Sequence, residues 1–219
     1  LSEGDAAPFF SSPREAPRER SGSDVLTALV SLAILLAVAP IAVPTSGFER
    51  SLVGVLQAVP SFLDALWRLG VAAGLVWTAV LIVVVAWRRR WDVAVDQALA
   101  LVGTCALGVA LARALNGSIP SVAELVTGGS EGAVPLVGVA VLAALTASAA
   151  PNLARPWRRA GRWAVGATVA GALSTTSTTP GGAALSVACA SLAAASVHVV
   201  RGTSAGRPDP DRVGAALRA

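Results

Sequence analysis

Arg88, Asp92 and Asp96 follow one another at four-residue spacing. On a continuous helix they share a face, and the guanidinium neutralises the carboxylates as an ion ladder. Such a ladder could admit protons or cations, or it could simply close a charge-paired helix end at a membrane boundary. The second role needs no further residues and is the reading taken. His198, the only histidine, lies near the end of an apolar stretch and is expected to be interfacial or hydrogen-bonded in helix packing. Arg113 ends another apolar stretch, where it is expected to snorkel outward or meet a lipid phosphate. The run STTSTTPGG at 174–182 begins with Ser174 and Thr175, whose hydroxyls can bond nearby carbonyls as a helix ends.

No stronger chemistry emerges. Two G-x-S-x-G strings occur, at 128–132 and 202–206. A nucleophile elbow needs a strand before the serine and a helix after it, and neither flank provides them. Cys105 and Cys189 sit inside apolar segments and read as small buried hydrophobes, not as a disulfide or metal ligands. No catalytic residue, metal site or cofactor is therefore expected, and the chain is not read as an enzyme.

Composition says where these residues must operate. Of 219 residues, 54% are hydrophobic and only 14% charged, with a mean hydropathy of +0.68. Soluble domains carry about 25% charged residues. The net charge of +4 would point to nucleic acid in a soluble protein. Here the arginines flank apolar stretches, so anionic lipid headgroups are the expected partner and nucleic acid is not. All 17 basic residues are arginine, and Tyr and Met are absent. That usage suits a GC-rich bacterial genome, and the missing initiator makes a processed chain or a fragment the expectation.

These patterns predict an all-α polytopic membrane helix bundle, with six transmembrane helices and one interfacial amphipathic helix. Residues 1–24 read as a disordered cytoplasmic tail. The spans are expected at about 25–43, 70–87, 94–115, 133–150, 163–179 and 182–200. The apolar stripe of 52–69 is placed flat in the interface, with a soluble helix packed over the bundle as its rival. A single helix from Trp163 to Val200 would run about 57 Å, nearly twice the hydrocarbon core, so this stretch must turn. Pro180, Gly181 and Gly182 are read as that tight turn, making a helical hairpin; a re-entrant loop is the alternative. Gly70-Val-Ala-Ala-Gly74 suggests close helix packing, within the bundle or in a homo-oligomer. Residues 201–219 read as a cytoplasmic tail or a linker to another domain.

Orientation follows from charge. With the N-terminus inside, the inner segments hold Arg14, Arg18, Arg20, Arg88, Arg89, Arg90, Arg155, Arg158, Arg159, Arg162, Arg201, Arg207, Arg212 and Arg218. The outer loops hold Arg50 and Arg68. This asymmetry places both termini in the cytoplasm of a cell inner membrane.

The stretch Arg155-Pro-Trp-Arg-Arg-Ala-Gly-Arg-Trp163, the turn Thr179-Pro-Gly-Gly182 and the tail from Val200 resemble the amino-terminal membrane module of large actinobacterial proteins. In those proteins the module precedes a kinase-like region and a membrane domain related to lysylphosphatidylglycerol synthases and flippases. The resemblance implies a noncatalytic module serving lipid or cell-envelope processes through attached domains. A more distant similarity is to the type 2 phosphatidic acid phosphatases. Arg155-Pro156 matches part of one of their motifs, but their Pro-Ser-Gly-His motif and second histidine are absent. A transporter or channel-like subunit, with 174–182 and Asp96 lining a path, is the alternative class.

Overall fold

The computed structural model describes residues 9–10, 18–42, 47, 51, 54–55, 64–117, 137–175 and 179–203. The chain is all-helical there, without a strand among the described residues. The helices are α1 (Gly22–Ala42), α2 (Asp64–Trp87), α3 (Trp91–Asn116), α4 (Val137–Ala149), α5 (Arg155–Thr175) and α6 (Pro180–Arg201). Four stretches are long and apolar enough to cross a membrane: Gly22–Ala42, Trp67–Trp87, Trp91–Leu115 and Pro180–Arg201. The 22 residues of α6 extend about 33 Å, the thickness of a hydrocarbon core. α4 is shorter, with 13 residues.

Burial is distributed as in a bundle surrounded by hydrocarbon. On α1 the inward stripe is Ser31, Leu35, Ala39 and Ala42, while Leu26, Leu29, Leu36 and Ile41 lie exposed. Leu75, Val76, Ile82, Val83 and Val102 continue the apolar exterior on α2 and α3. An apolar surface this extensive is rare on a soluble monomer but is the natural exterior of a protein in lipid. Trp87, Trp91 and Trp163 are also exposed, at the ends of α2 and α3 and within the arginine-rich part of α5. Amphipathic indoles concentrate at such membrane–water boundaries.

α6 is the hub, packing against α1, α3 and α4. Its buried residues are mostly small, including Ala183, Ala188, Ala190, Ala193, Ala194 and Ala195, so neighbouring backbones approach closely. Buried hydroxyls return to their own helices: Thr104 Oγ1 donates to the Ala100 carbonyl at 2.7 Å, and Ser186 Oγ to the Gly182 carbonyl at 2.7 Å. α5 packs chiefly on α2. A Cβ at Gly70 would meet the Ala167 carbonyl oxygen at 2.6 Å, and one at Gly171 the Trp67 carbonyl oxygen at 2.6 Å. The Gly70-x-x-x-Gly74 pair therefore serves a contact inside the bundle.

Several expected boundaries move. α2 begins at Asp64, so 64–69 are continuous with the second span expected from Gly70. Most of the expected interfacial helix lies outside the described residues, although Ser51, Gly54 and Val55 are helical. α5 begins at Arg155 rather than Trp163. Its first turn tolerates Pro156, which lacks a donor that no partner would need there. Pro180, Gly181 and Gly182 do not form the hairpin turn. They open α6 as helix, because Thr179 caps it by accepting from the Gly182 N–H at 3.1 Å and Pro180 occupies the first position. The connection between α5 and α6 thus lies at 176–179. Residues 1–24 are not disordered throughout: Phe9 and Phe10 are packed, Arg18 and Glu19 are bonded to Asp96 and Thr203, and α1 already starts at Gly22. Of the loop expected at 116–132, Asn116 still belongs to α3 and Gly117 caps it, while 118–132 lie outside the described residues, as do the tail beyond Thr203 and 133–136 at the start of the expected fourth span.

Candidate functional site

The α2–α3 junction decides the fate of the expected ladder. α2 ends in a Schellman motif: Arg89 N–H donates to the Ala86 carbonyl and Arg90 N–H to the Val85 carbonyl, both at 3.0 Å. Arg89 takes the left-handed conformation at φ 49° that glycine usually occupies there. The helix is therefore not continuous from Arg88 to Asp96, and the three residues do not share a face. Asp92 falls in the first turn of α3, where a carboxylate favours the helix dipole.

Asp96 is buried and meets two other arginines. Arg201 Nε donates to its Oδ1 at 2.6 Å. Arg18 reaches Oδ2 at 3.3 Å. The tail before α1 and the end of α6 are thereby clamped to α3. The same two segments pair as backbone: Glu19 N–H donates to the Thr203 carbonyl at 3.0 Å, and Thr203 N–H to the Glu19 carbonyl at 2.9 Å.

Aromatic packing fixes the rest of this end. Phe9 lies 4.9 Å from Trp157 and 6.5 Å from Trp77, centroid to centroid. Its carbonyl accepts from the Ala154 N–H at 3.0 Å. Phe10 sits beneath the Arg90 guanidinium at 4.9 Å, a cation–π distance. Trp77 donates from Nε1 to Thr146 Oγ1 at 3.2 Å, joining α2 to α4.

His198 is buried one turn before the end of α6. Its Nε2 lies 3.1 Å from the Ser148 carbonyl, which can only accept, so Nε2 carries the proton. Nδ1 faces Asp24 Oδ1 at 3.7 Å. The histidine thus joins α6 to α4 and to the start of α1.

These contacts bring together the start of α1, the α2–α3 junction, the end of α4, the start of α5 and the end of α6. One cleft opens among them, with a volume of about 870 Å³. One side is α1 with Ser23 and Thr27, the other α5 with Arg155, Arg158 and Arg162, and the floor is α4 and α6. Arg158 donates one guanidinium N–H to the Leu153 carbonyl at 3.0 Å, and its Nε has no partner among the described residues.

The other expected residues lie apart from it. Arg113 is in the last turn of α3, far along that helix from Asp96. Ser174 Oγ donates to the Ala170 carbonyl at 3.0 Å near the end of α5, and Thr175 closes that helix. Both are at the opposite end of α5 from its arginines. Among the described residues no three His, Cys, Asp or Glu side chains gather as a metal site. Sequence reasoning did not find Arg18, Asp24 or Arg201 as partners, nor the shared face of Arg155, Arg158 and Arg162. Their spacing of three and four is visible in the sequence, but the segment falls between the spans expected at 133–150 and 163–179. Comparison of the chain with protein-family models, with curated proteins and with solved structures found no match.

Proposed function

We propose that the chain is a noncatalytic, six-span module of a bacterial inner membrane, with both termini cytoplasmic and its arginine-rich end against anionic headgroups. The observation that carries this reading is the gathering of the arginine-flanked helix ends at one end of the bundle. α1, α3 and α5 start there, and α2, α4 and α6 finish there. An alternating arrangement of this kind is what six crossings require. The exposed Trp87, Trp91 and Trp163 near that end support a headgroup-level position. The 13-residue α4 is counted as a crossing in this reading. The buried ionisable groups favour a structural role: Asp96 is bound by two arginines, and His198 by Ser148 and Asp24. The resemblance to an actinobacterial membrane module agrees with it, and attached domains would supply the chemistry.

Single cysteines in a Cys105→Ser, Cys189→Ser background test the topology. In intact spheroplasts a membrane-impermeant maleimide is expected to label Ser118→Cys and Ser177→Cys. Ser21→Cys and Arg159→Cys should react only after permeabilisation. Labelling of Ser21→Cys and Ser118→Cys from one side would refute the crossing pattern.

A further inference from the structure

The cleft combines a cationic wall with an apolar depth, and we infer that it holds one anionic phospholipid, the phosphate at Arg155, Arg158 and Arg162 and an acyl chain along α4 and α6. This inference rests on the reading that the arginine-rich end lies at the membrane surface.

Charge comes first. Among the described residues none of these three arginines has a carboxylate partner, whereas Asp96 has two arginines to itself. Asp24, the acidic residue of the cleft, faces His198 with Oδ1 at 3.7 Å, and its Oδ2 has no partner among the described residues. Among the described residues the wall therefore carries three arginines against one carboxylate, a net positive charge beside the lipid headgroup layer. Guanidinium groups bind phosphate oxygens through paired, charge-assisted hydrogen bonds, and the unpartnered Nε of Arg158 shows that its donors are not all used. The arginines rise about 10 Å along α5 from Arg155 to Arg162, a depth similar to the headgroup layer.

Shape then separates a lipid from a free phosphate. The cleft is far larger than an inorganic anion needs, and at about 870 Å³ it falls in the range of sites that enclose whole organic ligands. It runs along α6 from His198 to Val187, about 16 Å. Away from the arginines its lining becomes mostly small and apolar, with Ala143, Ala147, Ala194, Val165 and Val187, and the hydroxyls of Thr146 and Ser191 lie among them. A polar mouth with a long wall of small, mostly apolar side chains fits a headgroup followed by a hydrocarbon chain.

The test is lipid retention by the full chain in nanodiscs of phosphatidylcholine containing one-tenth phosphatidylglycerol, read by native mass spectrometry. One phosphatidylglycerol per chain is expected, retained at least tenfold over its share of the bilayer. Arg158→Gln combined with Arg162→Gln should abolish the enrichment. Arg159→Gln removes the same charge from the same helix without lining the cleft, and should leave it intact. Ala194→Leu, which narrows the apolar depth, should weaken it severalfold. Excess inorganic phosphate or glycerol 3-phosphate should not displace the lipid. Equal retention of both lipids, equal loss in Arg159→Gln, or full displacement by free phosphate would each overturn the inference. Retention of the protein in carbonate-washed membranes is scored on the same preparations. A chain that leaves the membrane refutes the membrane reading, while one that stays but shows no enrichment refutes the cleft alone.

Discussion

Neutralising Asp96 should loosen the arginine-rich end, and the loss should fall unequally on its two partners. The Arg201 contact at 2.6 Å is a short charge-assisted bond, whereas the Arg18 contacts at 3.3 and 3.5 Å are at the limit of bonding. The Asp96 side chain is 7% exposed, but those of Arg18 and Arg201 are 28% and 34% exposed. Removing one partner of a fully buried pair costs about 3–5 kcal/mol because a charge is stranded. Here the stranded charges belong to arginines that can rehydrate, so Asp96→Asn should cost nearer 2 kcal/mol, the worth of one strong charged hydrogen bond. A double-mutant cycle divides this figure. Coupling of Asp96→Asn with Arg201→Ala should be about 1.5 kcal/mol, and coupling with Arg18→Ala below about 0.5 kcal/mol, within the range of exposed pairs. Reversible unfolding in mixed detergent micelles, followed by tryptophan fluorescence, supplies the four free energies for each cycle. Equal couplings, or a larger one for Arg18, would refute the assignment of Arg201 as principal partner.

Two further outcomes probe packing and surroundings. Gly74→Ala should destabilise by about 2 kcal/mol, because its Cβ would overlap Thr168 Oγ1 and approach Leu142 Cδ2 at 2.9 Å, whereas Gly166→Ala, with open space, should stabilise by about 0.5–1 kcal/mol; detergent melts of the two variants read the opposite signs. Cys105 is exposed and Cys189 buried, yet neither should react with a charged maleimide in native membranes, since hydrocarbon surrounds the first and protein the second; both should react in SDS, and rapid native labelling of Cys105 would contradict the lipid-facing assignment.

The long apolar helices were readable because their signal is local. Val25–Val43 and Gly70–Trp87 contain no charge, and a hydropathy window needs nothing else. α5 was shortened because Arg155, Arg158, Arg159 and Arg162 deny its first two turns such a window, although a helix bears them easily at a water boundary. The partners of Asp96 were hidden for a different reason. Arg18 and Arg201 stand 78 and 105 residues away, and only the assembled bundle brings them together. The ladder to Arg88 looked plausible because four-residue spacing presumes an unbroken helix, and nothing in WRRRW announces a left-handed arginine. Pro-Gly-Gly misled in the opposite direction: the same residues that make turns also suit a capped helix start.

The paired backbone of Glu19 and Thr203 sets the entry to α1 beside the exit from α6. A short peptide stitched between these two segments would close the bundle into a ring without displacing a helix, and fresh ends could then be cut between α3 and α4.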